Sequence, residues 1–307
     1  MREGLARVVV GGERVAFALL VALLAGGHAL IEGVPGTAKT LTVRVLARLL
    51  GVSYGRIQFT PDLMPSDVVG TTVFDQRSAT FSFRRGPVFA SVLLADEINR
   101  TPPKTQSALL EAMEERRVTI DGTTYDLPAP FMVCATQNPI EFEGTYPLPE
   151  AQLDRFFVRV QTGYPDPPDE RALIARTVGG FDARDLDAAG VVAVVNAAEL
   201  LEAQRAVRTI HVAESLQGYI YDVVAATRGA NDVALGASPR AALALVVGAQ
   251  AAAYLDGRSF ATPDDVKDVA PVVLAHRIIV RPEAELDGTT ADEVVKRILA
   301  SVPAPES

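Results

Sequence analysis

The chain has 307 residues, 49% hydrophobic and 22% charged, which is enough for two domains with cores of their own and too apolar for a disordered chain. Its 29 basic and 38 acidic residues leave a net charge of −9, which argues against a broad electrostatic footprint for DNA or RNA. The single cysteine, Cys134, excludes an internal disulfide, and His28, His211 and His276 are too scattered to suggest a zinc site, so a reducing cytoplasm is the expected home.

In chain order, the first feature is the uncharged run Val15 to Ile31. It is short for a bilayer and is interrupted by Gly26, Gly27 and His28, so it is predicted as a core helix running into a buried strand. The residues before it mix both charges, and no targeting segment is read there.

His28 to Ile31 is the first of five predicted core strands, followed by Arg56 to Phe59, Val92 to Ala95, Phe131 to Thr136 and Phe157 to Gln161. Helix-like stretches alternate with them, the pattern of an α/β fold in which helices cover a parallel sheet on both faces (αβα). Cys134 falls within the fourth strand, as a small apolar residue.

Directly after the first strand comes Gly33-Val34-Pro35-Gly36-Thr37-Ala38-Lys39-Thr40, in the strand–loop–helix setting that a phosphate loop requires. Glycines let backbone N–H groups turn toward phosphate oxygens, and the following helix presents its positive end. Lys39 is expected to reach the β- and γ-phosphates of ATP, and Thr40 to ligate Mg²⁺ through its hydroxyl. The strict pattern has glycine where this chain has Ala38. Alanine tolerates right-handed backbone, so the loop can close if that position already begins the helix.

Thr71 to Arg85 alternates like a small hairpin. The third core strand, Val92 to Ala95, then runs into Asp96-Glu97, and an acid at the C-terminal end of such a strand sits where ligands bind. Asp96 is expected to hold the magnesium ion through water and Glu97 to polarise the attacking water. A helix over Thr105 to Glu115 and a second hairpin, turning at Asp121-Gly122, follow. The fourth strand ends at Asn138, whose amide can serve the water or the γ-phosphate, or simply form a turn.

Tyr164-Pro165-Asp166-Pro167-Pro168 marks a change of character and places a boundary near residue 165. Residues 1–165 are expected to form the nucleotide-binding domain and residues 166–307 a helical one. The second half is alanine-rich, with helix starts at Ser238-Pro239 and at Thr262-Pro263-Asp264-Asp265. Pro303 to Ser307 reads as a frayed end.

From about Val8 to Arg277 the chain resembles the MoxR family of AAA+ ATPases. The resemblance rests on "GVPGTAKT", "QFTPDLMPSDVVGT", "LLADEINRTPPKTQSALLEAMEE", "ATQNP", "EGTYPLPEAQLDRF" and "GASPR". It implies a five-stranded sheet of order 5-1-4-3-2, a small all-helical lid, ATP and Mg²⁺ as cofactors, and hydrolysis at a subunit junction. By resemblance Asn138 is sensor 1, Arg155 an arginine finger acting on a neighbouring subunit, and Arg240 sensor 2 at the start of a lid helix. A cation there opposes the helix dipole, which favours a functional reason for it. Adenine is expected near Val9-Val10-Gly11-Gly12, with Val10 among the cofactor contacts. The family further implies a homo-oligomer, usually hexameric, and chaperone-like work on a protein client. A partner carrying a von Willebrand factor A domain is part of the same analogy. A nucleic-acid motor and a slow nucleotide-dependent switch are the alternatives; the acidic balance counts against the first, and Glu97 with Asn138 against the second.

Overall fold

The computed structural model of the chain describes residues 1–34, 36–77, 79–138, 144–183 and 185–305. Its elements run α1 (Arg2–Ala6), α2 (Glu13–Ala25), β1 (Ala29–Gly33), α3 (Lys39–Leu49), β2 (Tyr54–Gln58), α4 (Pro65–Val69), β3 (Gly70–Asp75), β4 (Thr80–Arg85), β5 (Val92–Asp96), α5 (Pro103–Glu115), β6 (Arg117–Ile120), β7 (Thr123–Asp126), β8 (Met132–Gln137), α6 (Glu150–Leu153) and β9 (Val158–Thr162). They continue with α7 (Pro167–Val178), α8 (Ala197–Val207), α9 (Glu214–Gly229), β10 (Val233–Leu235), α10 (Pro239–Leu255), α11 (Pro263–Leu274), β11 (Ile279–Val280), α12 (Pro282–Leu286) and α13 (Ala291–Ser301).

The five core strands form one sheet of order β2-β5-β8-β1-β9, the order the resemblance implies, read from the other edge. β2, β5, β8 and β1 pair in parallel. Every residue of β1 and β5 is buried, which explains their near-continuous apolar sequences, since strands covered on both faces have no solvent side to show. Leu93 and Leu94 are wholly buried, and truncating either to alanine would cost about 3 kcal/mol. The parallel register places Gln58 beside Asp96 and Ile31 beside Thr136, so the ends of four strands open on one edge.

The uncharged run behaves as expected. α2 is buried all round from Ala18 to Leu24, as a core helix should be, and among the described residues no helix is long and apolar enough to cross a membrane. His28 is a core residue: its Nδ1 accepts from the Val133 N–H (2.9 Å), so its Nε2 donates to the Met113 carbonyl (3.1 Å). Burial pushes its pKa down to about 4. Cys134 is buried, and desolvation raises its thiol to about 12.

Both expected hairpins form, β3–β4 and β6–β7. In the second, Asp121 and Gly122 both have positive φ (49° and 78°), the turn geometry that Asp-Gly favours between strands.

The chain divides into two compact units that interleave along the sequence. One comprises Met1–Phe17, His28–Leu148 and Val160–Leu201, and the other Ala18–Gly27, Pro149–Arg159 and Glu202–Ser307. The second unit is mainly helical, and α10 packs on α11 through small side chains; a Cβ at Gly248 would lie 3.3 Å from Val269. Two expectations need correction. Ser238 precedes α10 as anticipated but makes no capping bond with its side chain, whereas Thr262 closes a full capping box with Asp265. The helical half also holds the short antiparallel pair β10–β11, although no β run was expected there.

Candidate active site

The loop after β1 is shaped by three positions. A Cβ at Gly33 would sit 1.9 Å from the Thr162 hydroxyl, so only glycine admits β9 this close. Gly36 has φ +86° and no neighbour where a side chain would go, leaving open space above the loop. Ala38 does not take right-handed backbone: its φ of 56° and ψ of 16° are left-handed. That is why glycine is the strict choice there, and alanine holds it against about 1 kcal/mol of steric cost. Pro35 lies outside the described residues, as do Pro139 to Glu143.

The loop is closed by its own side chains. The Lys39 ammonium donates to the carbonyls of Gly33 and Val34, and the Thr37 hydroxyl donates to Val34 (3.0 Å) and meets Thr162 (3.0 Å). Among the described residues no side chain caps the first turn of α3, and N–H groups at such a helix start can hold an anion.

Asp96 is 8% exposed at the end of β5. Its Oδ1 accepts from the Thr136 hydroxyl (2.6 Å); its Oδ2 accepts from Arg56 (2.8 Å) and stands 3.4 Å from the Thr40 hydroxyl. Glu97 follows with left-handed backbone (φ 57°, ψ 50°), and its N–H donates to Thr136 (2.9 Å). Such strain gathers at functional turns. Its carboxylate accepts from Gln58 (2.7 Å) and Arg100 (3.1 Å). Arg56 also donates to the Gln58 amide oxygen (2.8 Å), so Asp96, Arg56, Gln58 and Glu97 form one hydrogen-bonded chain. Sequence reasoning gave Arg56 and Gln58 no role. The signal available was their i, i+2 spacing on a strand, which turns both toward the same face.

Val8 to Gly12 and the loop from Gly36 to Lys39 line one side of a cleft of about 370 Å³, which Gln161 to Asp166 and Asp169 complete. Val10, half-buried, is among the residues that line it. Asn138, immediately after β8, is 6% exposed. Gly33, Val34, Gly36 to Thr40, Asp96, Glu97 and Asn138 thus belong to the first unit; Arg155 and Arg240 belong to the second, with Arg240 placed 3.8 Å from the Asp154 carboxylate.

Family models match in the same places. Residues 28–158 match the ATPase family associated with various cellular activities (AAA), and residues 225–298 match an AAA lid domain. The chain is 46% identical to "Chaperone MoxR1" of Mycobacterium tuberculosis (98% of this chain, 80% of that one) and 32% identical to "Protein MoxR" of Paracoccus denitrificans (97% and 93%). The chain belongs to the MoxR family of AAA+ ATPases. The chain is also 46% identical to "Uncharacterized protein YeaC" of Bacillus subtilis, over 99% of this chain and 93% of that one. A solved structure from Cytophaga hutchinsonii has TM-score 0.89 and 42% identity over 99% of this chain and 93% of the other.

MoxR-family membership implies use of a nucleotide and Mg²⁺, and the residues present fit both. The hydroxyl of Thr40 and the carboxylate of Asp96 are the hard oxygen donors that Mg²⁺ prefers. Mg²⁺ commonly takes one or two protein oxygens and completes its shell with substrate phosphates and water.

Proposed function

We propose that the chain is a Mg²⁺-dependent ATP hydrolase that works as a ring. The reading is carried by one observation: Thr40, at the start of the phosphate-loop helix, meets Asp96 of the Asp96-Glu97 pair at 3.4 Å.

On this reading Lys39 leaves the Gly33 and Val34 carbonyls for the β- and γ-phosphates, while the first N–H groups of α3 hold the phosphate chain. Thr40 and Asp96 hold the metal, which when bound neutralises charge on the phosphate oxygens. Glu97 takes a proton from the attacking water as the water oxygen bonds to the γ-phosphorus. The bond from that phosphorus to the β,γ-bridging oxygen breaks, giving ADP and inorganic phosphate. Asn138 orients the water. Arg155 reaches the site of a neighbouring subunit and stabilises charge in the transition state. Arg240 couples closure of the lid to the nucleotide's charge. Val10 and its neighbours take the adenine.

The domain division at about residue 165, into nucleotide-binding core and lid, belongs to the same reading. Its output is remodelling or maturation of a protein client, for which the chaperone-named relative is the support. A hexamer, a partner with a von Willebrand factor A domain and a cytoplasmic setting follow by family analogy.

The ring is tested by mixing variants. Arg155→Ala and Glu97→Gln should each be nearly inactive alone, and a mixture should recover turnover. Recovery occurs because an intact arginine then completes an intact Asp96–Glu97 site on another subunit. A mixture that stays inactive, with a parent equally active at every dilution, would remove the ring from the mechanism.

A further inference from the structure

The 3₁₀ turn Ala275–Arg277 follows α11, and its last residue is a buried arginine whose side chain is 6% exposed. A guanidinium is expensive to bury unless its donors are satisfied. Arg277 spends its donors chiefly on one short segment. Its Nε donates to Asp154 Oδ1 (2.7 Å), and its other nitrogens donate to the carbonyls of Phe156 (2.8 Å), Phe157 (3.2 Å), Asp154 (3.4 Å) and, in the preceding α11, Val273. The neighbouring His276, also buried, places Nε2 3.0 Å from the same Phe156 carbonyl. Arg155 lies in the middle of this clasped segment, with an exposed side chain of its own. Asp154 and Phe156 are therefore held on either side of it, and the backbone from which Arg155 projects has little freedom.

We propose that Arg277 and Asp154 are the positioning pair for Arg155, holding the segment 154–157 so that the Arg155 guanidinium meets its target in one orientation. The Asp154 carboxylate serves both arginines of the second unit that face it: Oδ1 is taken by Arg277, and Oδ2 stands 3.8 Å from the 79% exposed Arg240. The buried partner anchors the carboxylate, while the exposed one is free to exchange it for another anion. The inference rests on the reading that Arg155 acts in a neighbouring subunit's site. A fold staple with no link to Arg155 predicts a different complementation pattern, and the variants below distinguish the two.

The test uses the full chain with Asp154→Asn and Arg277→Lys, each measured for thermal melting, affinity for a fluorescent ATP analogue, and phosphate release. Both variants should keep the parent's nucleotide affinity within about twofold and lose about tenfold or more in kcat with KM unchanged. Turnover should return when either is mixed with Glu97→Gln, and should not return with Arg155→Ala, because those two lesions damage the same donor side. If Arg277→Lys fails to melt cooperatively, Asp154→Asn decides, since it keeps the side chain's shape. Parent-like turnover of Asp154→Asn overturns the proposal. So does a loss restored by both partners or by neither, while Arg155→Ala still complements Glu97→Gln. If that last pair fails to complement, the reading of Arg155 falls, and the positioning pair with it.

Discussion

The Arg56 guanidinium lies 2.8 Å from Asp96 Oδ2, the same carboxylate oxygen that stands 3.4 Å from the Thr40 hydroxyl. A side chain of β2 thus occupies the carboxylate that the proposed metal would use. The cation and Arg56 repel each other there, at a cost on the order of 1 kcal/mol in a well-solvated site, which is about fivefold in affinity. Arg56→Met should therefore lower the Mg²⁺ concentration needed for half-maximal nucleotide binding several-fold. Arg56 is 49% exposed, so its loss should change stability by less than about 1 kcal/mol. A raised Mg²⁺ requirement would mean that Arg56 assists the cation instead.

Ala38 offers a test of the loop's backbone. Glycine adopts φ near +56° without the steric cost that alanine carries, though it gives up more chain entropy on folding. Ala38→Gly should raise the melting temperature of the nucleotide-free protein, by about 0.5 kcal/mol of stability. A right-handed Ala38 would give the opposite sign, as glycine does inside ordinary helices.

His28 sets a pH dependence. Its folded pKa is pushed from 6.5 to about 4 by burial, so between those values the unfolded chain binds more protons than the folded one. Stability is then fully present above about pH 6.5 and falls as pH drops toward 4, by about 3 kcal/mol for this group. His276 is lowered by the same cause and adds in the same direction. His28→Gln can accept from the Val133 N–H and donate to the Met113 carbonyl without titrating. Urea unfolding between pH 7 and 4 should show a shallower loss for this variant. An identical slope would put the acid sensitivity elsewhere.

Much of this was legible because the informative residues sit at ends. β1, β5 and β8 are buried on both faces and read as largely apolar runs, and β5 and β8 stop at a polar residue where the sheet edge opens. The phosphate loop and Asp96-Glu97 are local patterns, so spacing alone brings them out. The partners of those residues are not local. Arg56 reaches Asp96 across strands paired by the sheet, and Arg277 reaches Asp154 from far along the chain. Gln106, buried on α5, likewise donates to the Ile98 and Tyr146 carbonyls, two positions that no periodicity connects. The membership of Ala18–Gly27 and Pro149–Arg159 in the second compact unit likewise rests on tertiary packing, with no shift of composition to mark it. The left-handed backbone of Ala38 is not legible in the sequence, because propensity describes alanine in general whereas the loop's closure decides its φ.

The central claim is that Glu97 activates water at a site assembled by Lys39, Thr40 and Asp96. Phosphate release from Mg–ATP, measured beside nucleotide affinity for the parent, Glu97→Gln and Lys39→Ala, tests it most directly. The expected result is that Glu97→Gln binds Mg–ATP as tightly as the parent but turns over at least ~100-fold more slowly, while Lys39→Ala loses binding itself. Turnover by Glu97→Gln at the parent rate would contradict the assignment of the base, and a parent that binds Mg–ATP without releasing phosphate would contradict the hydrolase.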